Sequence, residues 1–313
     1  MPRYLVTGGA GFIGSHIAEA LLARGESVRV LDNLSTGYQQ NLAGLDGELE
    51  FLQGDLRDDA LVARAVQGVE VVFHQAALAS VHRSLSEPQE THAVCATGTL
   101  VLLEQARQAG VRRVLYAASS SAYGDQPKAC QAEDDLVVPV SPYAASKLAG
   151  EHYCRSFYKA YGLETVCLRY FNVFGPRQDP DSPYSAVIPL FIGALLNGKQ
   201  PVVFGDGEQS RDFVFVKDIV LGNLLAAEAD GAAGRVINLA TGKQVSLLEL
   251  ITLLNEILGL DVQPVYQPAR EGDVRHSRAD ISLAKDVLGY QPAFSLAEGL
   301  RQSIDYYRTL VDR

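Results

Sequence analysis

The chain has 313 residues, 47% hydrophobic and 20% charged, with 27 basic against 37 acidic side chains and a net charge of −10. That is the balance of a globular protein, long enough for one large core or two domains. An acidic chain without a basic run lacks the side chains that neutralise nucleic-acid phosphates, so no nucleic-acid partner is expected.

Short apolar runs predict strands over 4–7, 27–32, 49–53, 69–75, 113–118 and 165–170. Between them, 3.6-residue periodicity predicts helices over 13–24, 58–65, 90–109 and 143–161. This alternation reads as βαβ units, an α/β fold with a doubly wound parallel sheet of Rossmann type. Runs such as "VEVVFH" are apolar throughout, as strands buried on both faces must be. Near Pro176 the pattern changes to clustered prolines, Pro176, Pro180, Pro183 and Pro189, with shorter elements. The expected organisation is a nucleotide-binding domain over 1–175, rejoined by the chain at about 214–231, and a smaller α/β domain over 176–313.

No run of about 18 apolar residues offers a membrane span. The N-terminal apolar run is cut by glycines and followed by Glu19 and Arg24, unlike a signal peptide, and a cytoplasmic location is expected. Cys95, Cys130, Cys154 and Cys167 show neither CxxC nor zinc-ligand spacing, so they read as thiols in a reducing compartment. The histidines show no metal spacing either, and no metal is expected.

GGAGFIG places Gly8, Gly11 and Gly14 between a strand and a helix. Glycine permits a tight turn and close backbone approach to a pyrophosphate, and the helix N-terminus offers N–H groups to the anion. A second strand ends at Asp32 and Asn33. An acid there accepts hydrogen bonds from ribose hydroxyls and repels a 2′-phosphate, which favours NAD over NADP. Asp55 and Leu56 in "GDLRD" are placed to meet adenine. Gln75, Ala76 and Ala77 bring small side chains and close backbone to the cofactor at another strand end.

"SPYAASK" sets Tyr143 and Lys147 one helical turn apart on one face. Ser141 suits the N-cap and Pro142 the first helical position. A tyrosine has a pKa of about 10, and a nearby cation lowers such a value by roughly 1–3 units. Lys147 and an oxidised nicotinamide are therefore expected to make Tyr143 a general base for a substrate hydroxyl. The serine cluster "ASSSAYGD" lies at a strand end, where ligands of doubly wound sheets sit.

These features resemble the extended short-chain dehydrogenase/reductase family. GGAGFIG, Asp32, the serine cluster and Tyr143-x-x-x-Lys147 carry the resemblance, which runs nearly end to end. The segments "RYFNVFGPRQDP", "FGDGEQSRDFVFVKDI" and "REGDVRHSRADI" are most similar to its UDP-sugar 4-epimerase branch, above all to the UDP-N-acetylglucosamine 4-epimerases. The resemblance implies that Tyr143 takes the proton from sugar O4 while hydride leaves C4 for NAD⁺, and that the 4-keto sugar rotates before hydride returns. It implies Ser119 as the hydroxyl that relays the O4 proton, with Ser120 and Ser121 as alternatives. It adds Phe12, Ile13, Tyr170 and Val173 to the cofactor site.

For the UDP-sugar, the resemblance implies Asn172, Arg211 and Arg270 at the phosphates and Asp273 at the uridine ribose. It also implies Val187 and Phe204 at the uracil, and Ser80 and Arg83 at the sugar or a phosphate. Ser277 stands at a gate position, where a small residue leaves room for a 2-acetamido group. Related dehydratases and decarboxylases carry carboxylates where this chain has Ser120 and Ser121, which favours epimerisation over elimination. Cys95 stands where many relatives have an asparagine beside the nicotinamide. A homodimer built on helices 90–109 and 143–161 is implied. The competing readings are another NAD-dependent nucleotide-sugar enzyme (a UDP-glucuronate epimerase or decarboxylase, or a 4,6-dehydratase) and, more remotely, a non-catalytic NAD sensor.

Overall fold

A computed structural model describes residues 2–126, 128, 130–179, 186–269 and 274–311. Seven strands form one parallel sheet: β1 (Tyr4–Thr7), β2 (Val28–Asp32), β3 (Leu49–Gln53), β4 (Val71–His74), β5 (Arg113–Ser119), β6 (Glu164–Tyr170) and β7 (Val236–Leu239). Their order is β3-β2-β1-β4-β5-β6-β7, so the winding reverses between β1 and β4. The periodicity predicts six of these strands. The seventh is only four residues long and carries a polar residue inside it. Asn238 is tolerated there because Tyr123 Oη donates to it and its own amide donates to the carbonyls of Gln131 and Asp280. The returning chain, expected over 214–231, is accordingly longer and reaches Leu239.

Helices cover both faces, and the reason is visible in β1. Leu5 and Val6 point to opposite sides, and both are fully buried. Val6 packs with Ile17 and Leu21 of α1 (Phe12–Ala23). Leu5 packs with Val62 of α2 (Asp59–Ala65), Leu102 of α3 (Gly98–Gln108) and Phe157 of α4 (Pro142–Tyr161). Each such aliphatic side chain contributes about 1.5–3 kcal/mol by leaving water. The helix α5 (Val216–Glu228) completes the α1 face with Ile219 and Leu224. The predicted helix over 90–109 is interrupted. It runs as Pro88–His92, a π turn over Ala93–Thr97, and then α3.

A further core, built on Phe174, Ile188, Phe191, Phe213, Phe215, Leu250 and Ile304, belongs to the C-terminal part. Here strands shorten to pairs: Asn172–Phe174 lies parallel to Phe213–Phe215, and Val202–Phe204 to Val265–Gln267. Asp212 joins these pieces by accepting from the Thr241 hydroxyl (2.6 Å) and from the N–H groups of Thr241, Gly242 and Ala279. Four acceptances satisfy a buried carboxylate.

Ser141 caps α4, accepting from the Ala144 N–H, with Pro142 at the first position. The rotation of α4 is set by a buried ion pair one turn beyond Lys147. Arg169 on β6 meets Glu151 through two bonds of 2.8 and 3.0 Å, and its guanidinium lies 4.7 Å from the Tyr123 ring centroid. That bidentate geometry fixes both partners.

A candidate dinucleotide and sugar site

A cleft of about 470 Å³ opens where the strand order reverses, at the carboxyl ends of β1, β2, β4 and β5. Its floor is the glycine loop. Gly8 holds φ +66°, and a Cβ on it would lie 2.7 Å from the Ala76 nitrogen. A Cβ on Gly14 would strike the Gly8 carbonyl. Only hydrogen fits at both positions. Gly11 is the N-cap of α1; no side chain caps that end and its first turn holds no acid, so its N–H groups are left for an anion.

Asp32 ends β2 and is buried. Its two oxygens accept from the N–H groups of Ala10 (2.9 Å) and Leu34 (2.8 Å). Those bonds orient the carboxylate and leave a lone pair on each oxygen for a ribose hydroxyl. Asn33 donates to Asp55 at 3.0 Å. Asp55 is also gripped by Arg57, through Nε at 2.8 Å and Nη2 at 2.9 Å, which holds its carboxyl well below the usual carboxylate range. Arg57 goes on to both oxygens of Glu90. Arg57 and Glu90 line the cleft. The motif reading passed over both, because their pairing crosses 33 residues of sequence.

At the other end, Gln75 follows β4 and accepts from Tyr170 Oη at 3.2 Å, while its buried Nε2 has no partner. Phe12, Ile13, Leu56, Ala76, Ala77, Tyr170 and Val173 line the same cleft, with Val94 of the π turn beside them. A glycine cradle that admits no Cβ, an oriented Asp32 and an unpaired amide are the features that a dinucleotide needs. The residues present fit NAD.

Ser119, Tyr143 and Lys147 meet in this cleft. Ser119 ends β5, and its hydroxyl lies beside the Tyr143 phenol. Ser121 donates to the Ser119 oxygen through its hydroxyl (2.8 Å) and its N–H (3.2 Å). Ser120 and Ser121 open a short 3₁₀ turn and are not among the residues that line the cleft, whereas Ser119 is.

Burial pushes the Tyr143 phenol well up, a charge on Cys95 would raise it further, and the Ser119 hydroxyl pulls it down. The Lys147 ammonium lies 4.3 Å from the Tyr116 ring centroid, and burial pushes its own pKa down. Tyr116 Oη in turn donates to the Lys147 carbonyl at 3.0 Å. Cys95 is buried near Lys147, and burial raises its thiol.

The residues expected to hold the rest of a substrate are dispersed. Arg83 lines the cleft, steadied by Glu87 at 2.8 Å. Ser80 does not; its hydroxyl caps the helix Val81–Ser86 by accepting from the Arg83 N–H. Asn172, Val187, Phe204, Arg211 and Ser277 also lie off this cleft. Arg211 and Ser277 are nevertheless neighbours, because the Ser277 N–H donates to the Ser210 carbonyl at 3.1 Å. Arg211 bonds the carbonyls of Ser210 and Arg275. Arg270 and Asp273 lie outside the described residues.

With this geometry in place, the profile of the NAD dependent epimerase/dehydratase family matches residues 4–240. The chain belongs to that family. It is 41% identical over 310 residues to the UDP-glucose 4-epimerase of Mycolicibacterium smegmatis, covering 98% of each chain. It superposes with TM-score 0.94 and 42% identity on the UDP-N-acetylglucosamine 4-epimerase from Methanobrevibacter ruminantium M1, solved with UDP-N-acetylmuramic acid, over 99% of each chain. The UDP-glucose 4-epimerase of Thermotoga maritima with UDP-glucose gives 0.93 and 41%, over 98% of this chain and 99% of that one. The protein is therefore an enzyme of the NAD-dependent UDP-sugar 4-epimerase type, and its cofactor is NAD. No helix among the described residues is long and apolar enough to cross a membrane.

Proposed function

We propose that this enzyme interconverts UDP-N-acetylglucosamine and UDP-N-acetylgalactosamine, and accepts UDP-glucose and UDP-galactose as well. The observation that carries the reaction type is the junction of Ser119 and Tyr143 in the cleft of the dinucleotide loop. Bound NAD⁺ supplies a reversible hydride acceptor at sugar C4 and a positive charge beside the phenol. Tyr143 receives the O4 proton and holds it, and Ser119 positions O4 through its hydroxyl. Lys147, under the Tyr116 ring, braces this end of α4. Elimination of water would need a carboxylic acid beside Ser119. The following residues are Ser120 and Ser121, which carry no carboxyl group and are not among the residues lining the cleft.

Support for the acetylated sugar is the small side chain at Ser277 beside Arg211, whose fork suits a diphosphate. Assay of the four UDP-hexoses with no NAD added is expected to give product from UDP-N-acetylglucosamine. Ser277→Tyr is expected to slow that substrate about ten-fold or more, at a cost of about 1–3 kcal/mol for an overfilled pocket. UDP-glucose turnover should change far less, and equal effects on both sugars would refute the gate. We also propose a homodimer, supported by exposed Val81, Leu85, Tyr153 and Tyr161 on the neighbouring helices Val81–Ser86 and α4. Light scattering should give twice the chain mass.

A further inference from the structure

A short strap crosses from the C-terminal part onto the cofactor helix. It comprises Pro176, Arg177, Gln178 and Asp179, and the last three line the cleft. It is pinned at three places. On α1, His16 Nε2 donates to the Pro176 carbonyl at 3.0 Å, and Arg177 meets Glu19 at 2.9 Å and the Ser15 hydroxyl at 3.4 Å. On the C-terminal helix Leu296–Val311, Tyr307 Oη donates to the Gln178 carbonyl at 2.8 Å. On the loop after β2, Tyr38 Oη donates to Asp179 Oδ2 at 2.7 Å. That loop is itself tied to the glycine loop, since the Tyr38 N–H donates to the Ala10 carbonyl.

Arg177 holds φ +66°, a left-handed conformation that a branched chain of this size rarely adopts without external support. Here the support is the set of pins, two of which, on α1 and on the loop after β2, reach elements that line the cleft. The Tyr38–Asp179 bond joins two loops that both line the cleft, one following β2 and one following Asn172–Phe174.

We propose that this strap is a latch that retains the dinucleotide, with Tyr38–Asp179 as its clasp and Arg177–Glu19 as its hinge-side pin. The inference rests on the epimerase reading above: an enzyme that regenerates its cofactor in every turnover gains nothing by releasing it. A net dehydrogenase, by contrast, must open after each cycle. Cofactor exit through this side requires the clasp to break, so the clasp sets the release rate without touching the reacting atoms.

The test is a chase. Protein loaded with NADH is diluted into excess NAD⁺ without sugar, and the loss of NADH fluorescence is timed. Tyr38→Phe and Asp179→Asn are each expected to release NADH about ten-fold faster or more, the scale of one charged hydrogen bond. The double variant should be no faster than the quicker single, because both changes break the same bond. Release within two-fold of the parent, in variants that melt like the parent, overturns the latch; so does an additive double variant. If either change lowers the melting temperature, Arg177→Gly decides instead. Glycine tolerates the left-handed backbone and removes only the Glu19 and Ser15 pins, and it too must speed release. The chase contains no substrate. Failure to epimerise any UDP-hexose would refute the functional reading, and unchanged release would refute the latch, as separate results.

Discussion

Tyr143→Phe is expected to lower epimerisation by roughly 10²–10⁴-fold, the range lost when a positioned acid–base group is removed. The structure gives the reason for so large an effect. Among the described residues, Tyr143 is the phenol beside Ser119 in the cleft, and the Lys147 ammonium lies over the Tyr116 ring. Without cofactor, burial keeps the phenol protonated. A cation beside the phenol would bring it down, and a shift of three units is worth about 4 kcal/mol. NMR of the product formed from UDP-N-acetylglucosamine, with NAD content measured on the same sample, checks this. A Phe variant that kept its NAD and more than a tenth of the parent rate would remove Tyr143 from the role.

How much of this was legible in the sequence depends on the range of the interactions. Glycines, strand-end acids and the Tyr143–Lys147 spacing are local patterns, and all of those residues line one cleft. Five of the six predicted strands announced themselves as apolar runs because they are buried on both faces, and the edge strand β3 by the apolar Leu49, Phe51 and Leu52. Val236–Leu239 did not, since Asn238 breaks its run and is satisfied only by partners more than forty residues away. The helix over 90–109 has good periodicity. Its π turn arises from a tertiary contact, the Thr99 hydroxyl bonding the Cys95 carbonyl while receiving His74. Which of the three serines lines the cleft was also closed to sequence, because a strand end and a 3₁₀ turn must form before one of them does. Helical spacing puts Tyr143 and Lys147 on one face, but it does not say that the Lys147 ammonium lies over the Tyr116 ring, or that burial pushes the phenol up.

His74 carries the second large effect, because it makes the site acid-sensitive. It ends β4, is 1% exposed, and joins the strand of the glycine loop to the π turn. The Thr99 hydroxyl donates to the Cys95 carbonyl at 2.6 Å, so it receives the proton of His74 Nε2 at 2.9 Å. His74 Nδ1 must then accept from the Thr7 hydroxyl at 2.7 Å. Both nitrogens are committed to the neutral ring. Burial, with the Lys147 ammonium nearby, pushes the pKa from 6.5 down to about 3. A folded pKa below the unfolded one means that unfolded chains bind the proton first as pH falls. The stability that His74 contributes is therefore complete above pH 6.5, and it is lost progressively down to about pH 3. By pH 4 the loss is about 3 kcal/mol, a large share of the stability of an ordinary domain. Urea unfolding of the parent and of His74→Asn at pH 7 and pH 4 isolates this term, since the carboxylates titrate alike in both. The variant starts less stable but should lose about 3 kcal/mol less between the two pH values. Parallel losses would mean that His74 accepts a proton in the folded protein. The tie between the glycine loop and the π turn would then survive acid, and the neutral-ring assignment would fall.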